Sequence, residues 1–321
     1  MEVYLGIDVG SVTTKFAAVD AKDSVLNHLY LPTQGKPIEV VQQGLREIKR
    51  SLPPEAKICG VATTGSARYL AGVTLGADLV KNEITSHAVA TLHYYPNVQT
   101  IIEIGGQDSK IIIIRDEIVT DFGMNTVCAA GTGSFLDHQA QRLSMSIEEF
   151  SRRALQSKNP VRIAGRCTVF AESDMIHKQQ MGHRIEDIIY GLCQALARNY
   201  LNNIGLGKDI KPPVVFQGGV AFNQGIIRAF RDELGTELIV PLHHEVMGAI
   251  GAALLVHEEM KQSGSESKFK GFGISDKEYH TSSFECKSCN NLCEIAQLSV
   301  DGRILARWGG RCDRWERDPS S

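Results

Sequence analysis

The sequence predicts an α/β protein, because short apolar segments typical of strands alternate with longer segments of helical periodicity. The strand candidates are rich in Val and Ile and end at Gly, Asp or Pro, and they span residues 3–9, 14–19, 58–63, 100–105, 110–115, 214–218 and 238–240. The helix candidates span residues 40–49, 85–92, 133–143, 147–155, 184–203, 225–234 and 247–260. We expect the isoleucine-rich segments 101–104 and 111–114 to be central strands of a buried sheet.

The composition sets limits on the function. The 321 residues carry a net charge of −3 and are 43% hydrophobic, which is enough for a substantial core and for two domains. The near-neutral charge predicts no nucleic-acid partner. Apolar runs stay short of the roughly 18 residues of a membrane span, and the start, MEVYLGIDVG, lacks the basic segment of a secretory signal. We therefore expect a cytoplasmic protein that does not bind membranes. Its eight cysteines are not expected to form disulfides, and the four that cluster near the C-terminus indicate metal or redox chemistry.

Three glycine-rich turns follow strand candidates, in a chain that has neither a Walker A sequence nor GxGxxG. Small residues at such turns let backbone N–H groups approach a phosphate. The candidate nucleotide-binding residues are Asp8, Gly10, Ser11, Thr13 and Lys15 in GIDVGSVTTKFAAVD, Gly105, Gly106 and Lys110 in IEIGGQDSK, and Gly218, Gly219 and Asn223 in VVFQGGVAFNQG. Asp8 is suited to hold Mg²⁺ through water, and Gln107 or Asp108 to orient the water that attacks a γ-phosphate. The similar segments IDVGS and IEIGGQD hint at an internal duplication.

Two cysteines precede expected helix starts. Cys128 lies in FGMNTVCAAGTGSF, where Gly131 and Gly133 in the turn AAGTG are further candidate nucleotide-binding residues, and Cys167 lies in AGRCTVFAESDM. A helix N-terminus carries partial positive charge and free N–H groups, so it stabilises a thiolate. The residues alone leave two interpretations open: ligands of a metal centre, or small buried packing residues.

Taken in order, the three turns resemble the phosphate-1, phosphate-2 and adenosine segments of the superfamily of sugar kinases, actin and heat-shock chaperone ATPases. With IEIGGQDSK upstream, the stretches MNTVCAAGTGSFLD and RCTVFAESDMI resemble the activator family of 2-hydroxyacyl-CoA dehydratases. Relatives of that family include the ATP-hydrolysing subunits of benzoyl-CoA reductase and the reductases of double-cubane cluster proteins. The resemblance covers about residues 3–256, and it implies two ribonuclease-H-like domains around an ATP cleft.

The resemblance also implies a cofactor and a function. Family members are homodimers with one 4Fe–4S cluster at the subunit interface, and the family pattern falls on Cys128 and Cys167. Four thiolates hold such a cluster, so two per chain fit a two-fold dimer. The implied protein receives electrons from ferredoxin or flavodoxin and uses ATP to pass them singly to an iron–sulfur dehydratase or reductase. A small-molecule kinase of the same superfamily and an ATP-switched interaction module are the alternatives.

The C-terminal part departs from the short members of that family. After an ATPase domain of residues 1–260, the Gly- and Ser-rich segment 261–283 predicts a linker, and residues 284–315 form a cysteine-rich module. Its cysteines are Cys286, Cys289, Cys293 and Cys312, in the order C-x2-C-x3-C-x18-C around a hairpin with an Asp301-Gly302 turn. A module with so few large apolar residues needs a metal to fold, and both zinc and a second iron–sulfur cluster are open.

Overall fold

The chain divides into two units, which the computed structural model describes over residues 1–125, 128–312 and 314–315. The central unit comprises residues 83–251, and the N-terminal unit comprises residues 1–82 together with the described residues from 252 onward. Each unit contains a five-stranded sheet, and the N-terminal unit also contains a separate three-stranded sheet. Among the described residues, none of the helices is both long and apolar enough to span a membrane.

The sheet of the N-terminal unit has the strand order β3-β2-β1-β4-β5. Its strands are β1 (Glu2–Val9), β2 (Thr13–Asp20), β3 (Val25–Pro32), β4 (Lys57–Thr64) and β5 (Leu79–Val80). The strands β1, β2 and β3 form an antiparallel meander, whereas β4 runs parallel to β1. The helices α1 (Pro37–Ser51) and α2 (Arg68–Leu75) belong to the same unit. Residues 3–9 of β1 are all buried, as expected for a central strand covered on both faces.

The sheet of the central unit has the order β10-β9-β6-β7-β8. Its strands are β6 (Thr100–Ile104), β7 (Ser109–Arg115), β8 (Ile118–Asn125), β9 (Val214–Gln217) and β10 (Leu238–Ile239). Its helices are α3 (Glu83–Tyr94), α4 (Gly133–Arg142), α5 (Ile147–Ala154), α6 (Thr168–Gln180), α7 (Ile185–Asn203) and α8 (Gln224–Leu234). The helix α9 (Met247–Ser263) then carries the chain back into the N-terminal unit.

The two five-stranded sheets have the same topology. In the central sheet, β8, β7 and β6 form a three-stranded antiparallel meander, and the parallel strands β9 and β10 follow it, as β4 and β5 do in the N-terminal sheet. The duplication suggested by IDVGS and IEIGGQD is therefore present in the fold. All seven strand candidates and all seven helix candidates are confirmed to within a few residues.

The strands that the sequence analysis missed are the polar or short ones at sheet edges. The strands β3 and β8 are edge strands whose side chains are largely half-buried or exposed, so they show neither continuous nor cleanly alternating apolar character. The edge strand β5 is only two residues long, and α2 has a weak apolar stripe. Edge strands bury less apolar surface, so hydrophobic periodicity identifies them poorly.

The segment predicted as a linker, residues 261–283, is structured. The helix α9 continues to Ser263, and the strand β11 (Tyr279–Glu285) begins before the predicted end of the linker. Between them, Ile274 is 3% exposed in the core of the N-terminal unit. Gln42 and Arg46 of α1 donate hydrogen bonds to backbone carbonyls of residues 274, 275 and 277. The linker prediction is wrong here, because a few apolar side chains anchor a segment whose average composition is polar.

The three-stranded sheet is antiparallel and consists of β11, β12 (Glu294–Val300) and β13 (Arg303–Trp308) in that order. The turn between β12 and β13 contains Asp301 at φ 49° and Gly302 at φ 76°. Both residues lie in the left-handed region that a type I′ hairpin turn requires. The predicted hairpin around Asp301-Gly302 is therefore confirmed.

Replacing Ile274 with Ala tests whether residues 264–278 belong to the core of the N-terminal unit. We expect a loss of about 2–5 kcal/mol of unfolding free energy, because the substitution leaves a cavity in a packed core. The matched control is Ile118→Ala at a side chain that is 66% exposed, for which we expect a change within about 0.5 kcal/mol. The measurement is urea unfolding of both variants. Equal effects would contradict the packed position of Ile274.

Candidate functional site

The first glycine turn joins β1 to β2 in the N-terminal unit. Asp8 and Lys15 are register partners across these strands, and Lys15 Nζ donates to Asp8 Oδ2 at 3.1 Å. The Gly10 N–H donates to the Thr13 carbonyl oxygen at 3.0 Å, which closes the turn. A Cβ at Gly10 would lie 2.9 Å from that oxygen, so the turn favours glycine. Four of the predicted residues thus meet in one hairpin, with the exposed Ser11 in its turn.

Gly65 lies beside the carboxylate of Asp8, directly after β4. Its φ is +94°, and a Cβ there would lie 2.6 Å from Asp8 Oδ1 and 2.5 Å from the Val9 carbonyl oxygen. The preceding residue, Thr64, is the partner of Asp8 in the β1–β4 register. Its hydroxyl is buried and has no hydrogen-bond partner among the described residues. A carboxylate, an unsatisfied hydroxyl and a space kept open by glycine fit a hydrated Mg²⁺ and its phosphate.

The second glycine turn repeats this geometry in the central unit. Glu103 of β6 and Lys110 of β7 are register partners, and Lys110 Nζ donates to Glu103 Oε2 at 3.0 Å. The Gly105 N–H donates to the Asp108 carbonyl oxygen at 3.0 Å, as Gly10 does to Thr13. In both hairpins the acid and the lysine are seven residues apart.

The correspondence extends to the parallel strand next to each acid. Gly218 follows β9 with φ +93°, and a Cβ there would lie 2.8 Å from Glu103 Oε1. Each unit therefore combines an acid, a lysine, a glycine turn and a left-handed glycine. The sequence analysis omitted Glu103, because this residue is enclosed in an isoleucine-rich strand. The alignment of IDVGS with IEIGGQD, which sets Glu103 against Asp8, is the signal that identifies it.

The amine of Lys110 is enclosed by carboxylates. It lies 2.7 Å from Glu83 Oε2, 3.0 Å from Glu103 Oε2 and 2.8 Å from Asp108 Oδ2, and the lysine side chain is 3% exposed. Burial alone would lower the pKa of Lys110, but the three carboxylates outweigh burial and raise the pKa well above its ordinary value. Lys110, predicted as a nucleotide-binding residue, thus fixes the positions of acids around the second turn. Of the two predicted water-orienting residues, Asp108 is paired with this amine and Gln107 is exposed.

The third glycine turn, at the end of β9, supports the fold as well. Gly219 begins a short 3-10 turn, Gly219–Phe222, that leads into α8. Asn223, predicted to contact the nucleotide, is the N-cap of α8: its Oδ1 accepts from the N–H groups of Gly225 and Ile226 at 3.0 and 3.2 Å. The side-chain oxygen of Asn223 therefore satisfies helix donors, which is the usual task of Asn at this position.

The start of α4 is hydrogen-bonded to the second glycine turn. The Gly133 N–H donates to the Gly105 carbonyl oxygen at 2.9 Å, and the Ser134 N–H donates to the Gly106 carbonyl oxygen at 2.8 Å. A Cβ at Gly133 would lie 3.0 Å from the Gly105 oxygen, so glycine permits this approach. The amide of Gly133, which the sequence suggested for phosphate, is engaged by the protein. Two backbone hydrogen bonds therefore connect the second glycine turn to the start of α4.

Cys128 lies between β8 and α4. It is the N-cap of a 3-10 turn, Ala129–Gly131, and α4 begins two residues after the end of that turn. Of the two cysteines, only Cys167 therefore directly precedes an α-helix. The side chain of Asn125 holds the Cys128 backbone from both sides, accepting from its N–H at 2.9 Å and donating to its carbonyl oxygen at 2.7 Å. The thiol itself is only partly buried.

Cys167 is the N-cap of α6, as the sequence predicted, and its thiol is also only partly buried. The segments before Cys167 and after Cys128 both approach Asn199 of α7. Asn199 Nδ2 donates to the Gly165 carbonyl oxygen, and a Cβ at Gly131 would lie 2.9 Å from Asn199 Oδ1. Asn199 is 3% exposed, so one buried amide contacts both cysteine-bearing segments.

The surface around Cys167 is basic and partly apolar. A cleft of about 700 Å³ is lined by residues that include Arg162, Arg166, Lys178 and Arg198. On α6 itself, Val169 and Phe170 are 66% and 63% exposed. Large exposed apolar side chains on one helix are typical of a surface that another protein covers.

The four C-terminal cysteines share one end of the three-stranded sheet. Cys286 follows β11 and Cys293 precedes β12, and the Cys286 N–H donates to the Cys293 carbonyl oxygen at 2.8 Å. Cys289 lies in the loop between them, and Cys312 follows β13. Among the residues that the structure describes, no three of these sulfur atoms lie within 4.8 Å of one another.

Comparison with known proteins identifies the class. The fold, with its two sheets of one topology, matches that of a glucokinase of the ROK family from Streptomyces griseus. The TM-score is 0.50 at 12% identity, and the match covers 80% of this chain and 99% of that one. This likeness shows the fold alone, which is the two-domain fold of actin, sugar kinases and heat-shock chaperones. Residues 5–256 match the BadF/BadG/BcrA/BcrD ATPase family, and the chain belongs to this family.

Two relatives within the family are similar over most of their length. The (R)-2-hydroxyglutaryl-CoA dehydratase activating ATPase of Acidaminococcus fermentans is 35% identical over 81% of this chain and 99% of its own. The structure of the activator of 2-hydroxyisocaproyl-CoA dehydratase from Clostridium difficile, with bound ADPNP, has a TM-score of 0.73 at 34% identity, covering 82% of this chain and 97% of that one. The family predicted from the cysteine and glycine motifs is confirmed, and residues after 256 lie beyond the family match.

Replacing Lys110 with Met tests the enclosed amine. We expect about 3–5 kcal/mol of lost stability at pH 8, because three carboxylates lose their shared cation. The loss should shrink toward pH 5, since the carboxylates then take up protons in the folded variant. In the wild type the raised pKa keeps the contribution of Lys110 constant over this range, and the contribution is lost only when the pH rises through that pKa.

The control for this experiment is Lys36→Met, which removes an exposed pair with Glu39 and should cost less than about 1 kcal/mol at either pH. Urea unfolding at pH 5 and pH 8 measures both variants. A pH-independent loss in Lys110→Met, or a loss no larger than that of the control, would show that the carboxylates do not depend on this amine.

Replacing Gly218 with Ala tests the space beside Glu103. We expect kcat for ATP hydrolysis to fall by about 10- to 100-fold, because a Cβ at Gly218 displaces the carboxylate. The control is Gly271→Ala, because Gly271 has φ +81° and ψ 168°, close to the φ +93° and ψ 174° of Gly218, and a Cβ position with nothing within 4 Å. It imposes a similar backbone strain, so its kcat should stay within about twofold of wild type. Equal loss of kcat in both variants would attribute the effect to strain.

Proposed function

We propose that this chain is an ATP-hydrolysing activator that passes single low-potential electrons to a partner iron–sulfur enzyme. The observation that carries the proposal is the hydrogen-bonded connection between the second glycine turn and α4, five residues after Cys128. It joins a nucleotide-type turn to a candidate redox ligand within one unit. The relatives that activate 2-hydroxyacyl-CoA dehydratases support the same role.

In the proposal, each unit offers a glycine turn whose backbone N–H groups are suited to contact phosphate, and Gly218 keeps space open beside Glu103 in the central unit. Asp8 holds a hydrated Mg²⁺, and the unsatisfied hydroxyl of Thr64 beside it supplies a further polar contact. Gln107, exposed in its turn and next to the lysine-held Asp108, orients the attacking water. The relative solved with ADPNP supports a nucleotide at this type of fold.

Cys128 and Cys167 fit the ligands of an iron–sulfur cluster shared by two subunits. Both thiols are accessible, both begin a helical turn, and the buried Asn199 contacts both of their segments. Since a 4Fe–4S cluster takes four thiolates, two per chain require a homodimer. A bound cluster supplies the capacity to accept and release one electron. The exposed Val169 and Phe170 beside Cys167 provide apolar surface for the second subunit.

In the proposal, the bound nucleotide affects the surroundings of Cys128 through backbone hydrogen bonds. When the second turn closes on a phosphate, the carbonyl groups of Gly105 and Gly106 shift the start of α4, to which they are bonded. Cys128 precedes that helix by five residues and is fixed at its backbone by Asn125. Binding and hydrolysis of ATP thereby change the exposure and docking surface around the thiol. Hydrolysis makes the transfer effectively one-way.

The donor and the acceptor are protein partners. We propose ferredoxin or flavodoxin as the electron donor. The basic cleft next to Cys167 offers charge complementarity to such an acidic protein. The acceptor is an iron–sulfur enzyme of the 2-hydroxyacyl-CoA dehydratase or benzoyl-CoA reductase type, as the relatives suggest, or of the double-cubane type that the motif resemblance implies.

Replacing Cys128 or Cys167 with Ser tests the function directly. In protein purified without oxygen, we expect about two irons per chain beyond any iron in the C-terminal module, and a loss of these irons of at least about tenfold in either variant. Cys59→Ser, at a partly buried thiol of β4, is the control and should keep its iron. Affinity for a non-hydrolysable ATP analogue should stay unchanged in all three, since the nucleotide residues are intact.

The activity readout is ATP-dependent activation of a 2-hydroxyacyl-CoA dehydratase in the presence of reduced ferredoxin or flavodoxin. We expect activation with wild type and Cys59→Ser, and none with Cys128→Ser or Cys167→Ser. If the wild type binds ATP but contains no iron, and both Ser variants keep full activity in a kinase assay, the reductase proposal fails.

A further inference from the structure

The loop between β11 and β12 draws three cysteines together. Glu285 and Glu294 are the last register partners of these strands, and just beyond them the Cys286 N–H donates to the Cys293 carbonyl oxygen at 2.8 Å. The six residues between these two cysteines form a short loop that carries Cys289. The three thiols are therefore confined to one short hairpin end.

The fourth cysteine returns to the same end through β13. Trp308, the last residue of this strand, pairs with Ala296, so the chain leaves β13 at the start of β12. A Cβ at Gly309 would lie 2.6 Å from the Glu294 carbonyl oxygen, and φ +99° at Gly309 also favours glycine. The chain thus passes directly beside the cysteine loop before it reaches Cys312. The backbone of the three strands therefore brings the four cysteines to the same end of the sheet.

This sheet has too small a core to be stable by apolar burial. Among its described residues from 279 to 315, the buried apolar side chains are Cys286, Ile295, Leu298 and Val300. Three aliphatic side chains contribute about 5–9 kcal/mol of burial in total. Ordering roughly 30 residues costs far more than that. Modules of this size are usually stabilised by a disulfide or a metal, and the structure contains these cysteines as free thiols.

The surroundings of Cys286 suit a thiolate ligand. Trp315 Nε1 donates to Cys286 Sγ at 3.2 Å. The indole is itself held by Phe284, whose ring centroid is 5.0 Å away, and by the guanidinium of Arg307 at 5.2 Å from the indole centroid. An N–H donor stabilises negative charge on sulfur, and partners of this kind orient metal ligands in proteins.

We propose that Cys286, Cys289, Cys293 and Cys312 bind one zinc ion and that this ion stabilises the three-stranded sheet. A two-residue cysteine spacing in a hairpin end, with a further cysteine returned by a strand, matches tetrahedral thiolate zinc sites. The spacing C-x2-C-x3-C differs from the C-x2-C-x2-C of bacterial ferredoxins. Because the sulfur atoms are not yet gathered within 4.8 Å, the loop closes further when the ion binds.

This zinc site is independent of the proposed electron transfer. Its ligands all lie after residue 256, beyond the region that matches the ATPase family. Loss of iron at Cys128 and Cys167 would leave it unchanged, so the two proposals fail separately.

Metal analysis of the full chain tests the proposal. We expect about one zinc per chain in wild type, Cys59→Ser and Cys128→Ser, and at least about tenfold less in Cys289→Ser. Cys289 is exposed, so its replacement removes a sulfur atom without creating a cavity. About four additional irons per chain that are lost only in Cys289→Ser would overturn zinc in favour of a cluster. Equal zinc in all four proteins would overturn the site.

Tryptophan fluorescence of the unaltered protein provides a second readout. The chain has two tryptophans, Trp308 and Trp315, and both belong to this sheet module. Excitation of tryptophan therefore reports on the module without background from the ATPase units. We expect a zinc chelator to shift the emission to longer wavelength and added zinc chloride to restore it, with ATP hydrolysis unchanged. Removal of zinc without any change in emission would contradict a site next to Trp315.

Discussion

The buried amine of Lys110 holds the second nucleotide-type turn in its shape. One cation neutralises part of the charge of Glu83, Glu103 and Asp108, and these acids come from a helix, a central strand and a turn. Without that cation, three carboxylates would lie close together in a largely buried position, which is strongly unfavourable. The second glycine turn lies between Glu103 and Lys110, and its carbonyl oxygens accept hydrogen bonds from the start of α4. In the proposed function, the connection toward Cys128 therefore depends on one buried amine and its three ion pairs.

The duplication explains why the site has this form. Each unit uses an antiparallel hairpin to set an acid opposite a lysine, and a parallel strand to bring a left-handed glycine against the acid. Glycine is required because a side chain would occupy the space of the carboxylate. In the central unit, Lys110 is enclosed by three acids, and the same unit contains Cys128 and Cys167.

Much of the fold was predictable from the sequence, because buried strands and amphipathic helices have clear periodicity. The glycine turns and both cysteine positions were also predictable, since Gly, Asp and Cys carry strong local signals. Two features were not. Glu103 is hidden within a run of isoleucines, and Ile274 anchors a segment of polar composition. Their roles depend on partners far away in the sequence, Gly218 beside Glu103 and α1 beside the segment of Ile274, which composition and spacing do not reveal. The role of Asn223 as a helix cap is different, because its partners Gly225 and Ile226 are only two and three residues away and Asn is a common N-cap residue.

Hydrogen–deuterium exchange of the backbone, with and without a non-hydrolysable ATP analogue, tests the central claim most directly. The account predicts that the analogue changes exchange in the peptide that contains the second turn and also in the peptide from Cys128 to Ser134, because the amides of Gly133 and Ser134 are bonded to that turn. A change confined to the glycine turns, with exchange from Cys128 to Ser134 unaltered, would contradict a connection between nucleotide and thiol.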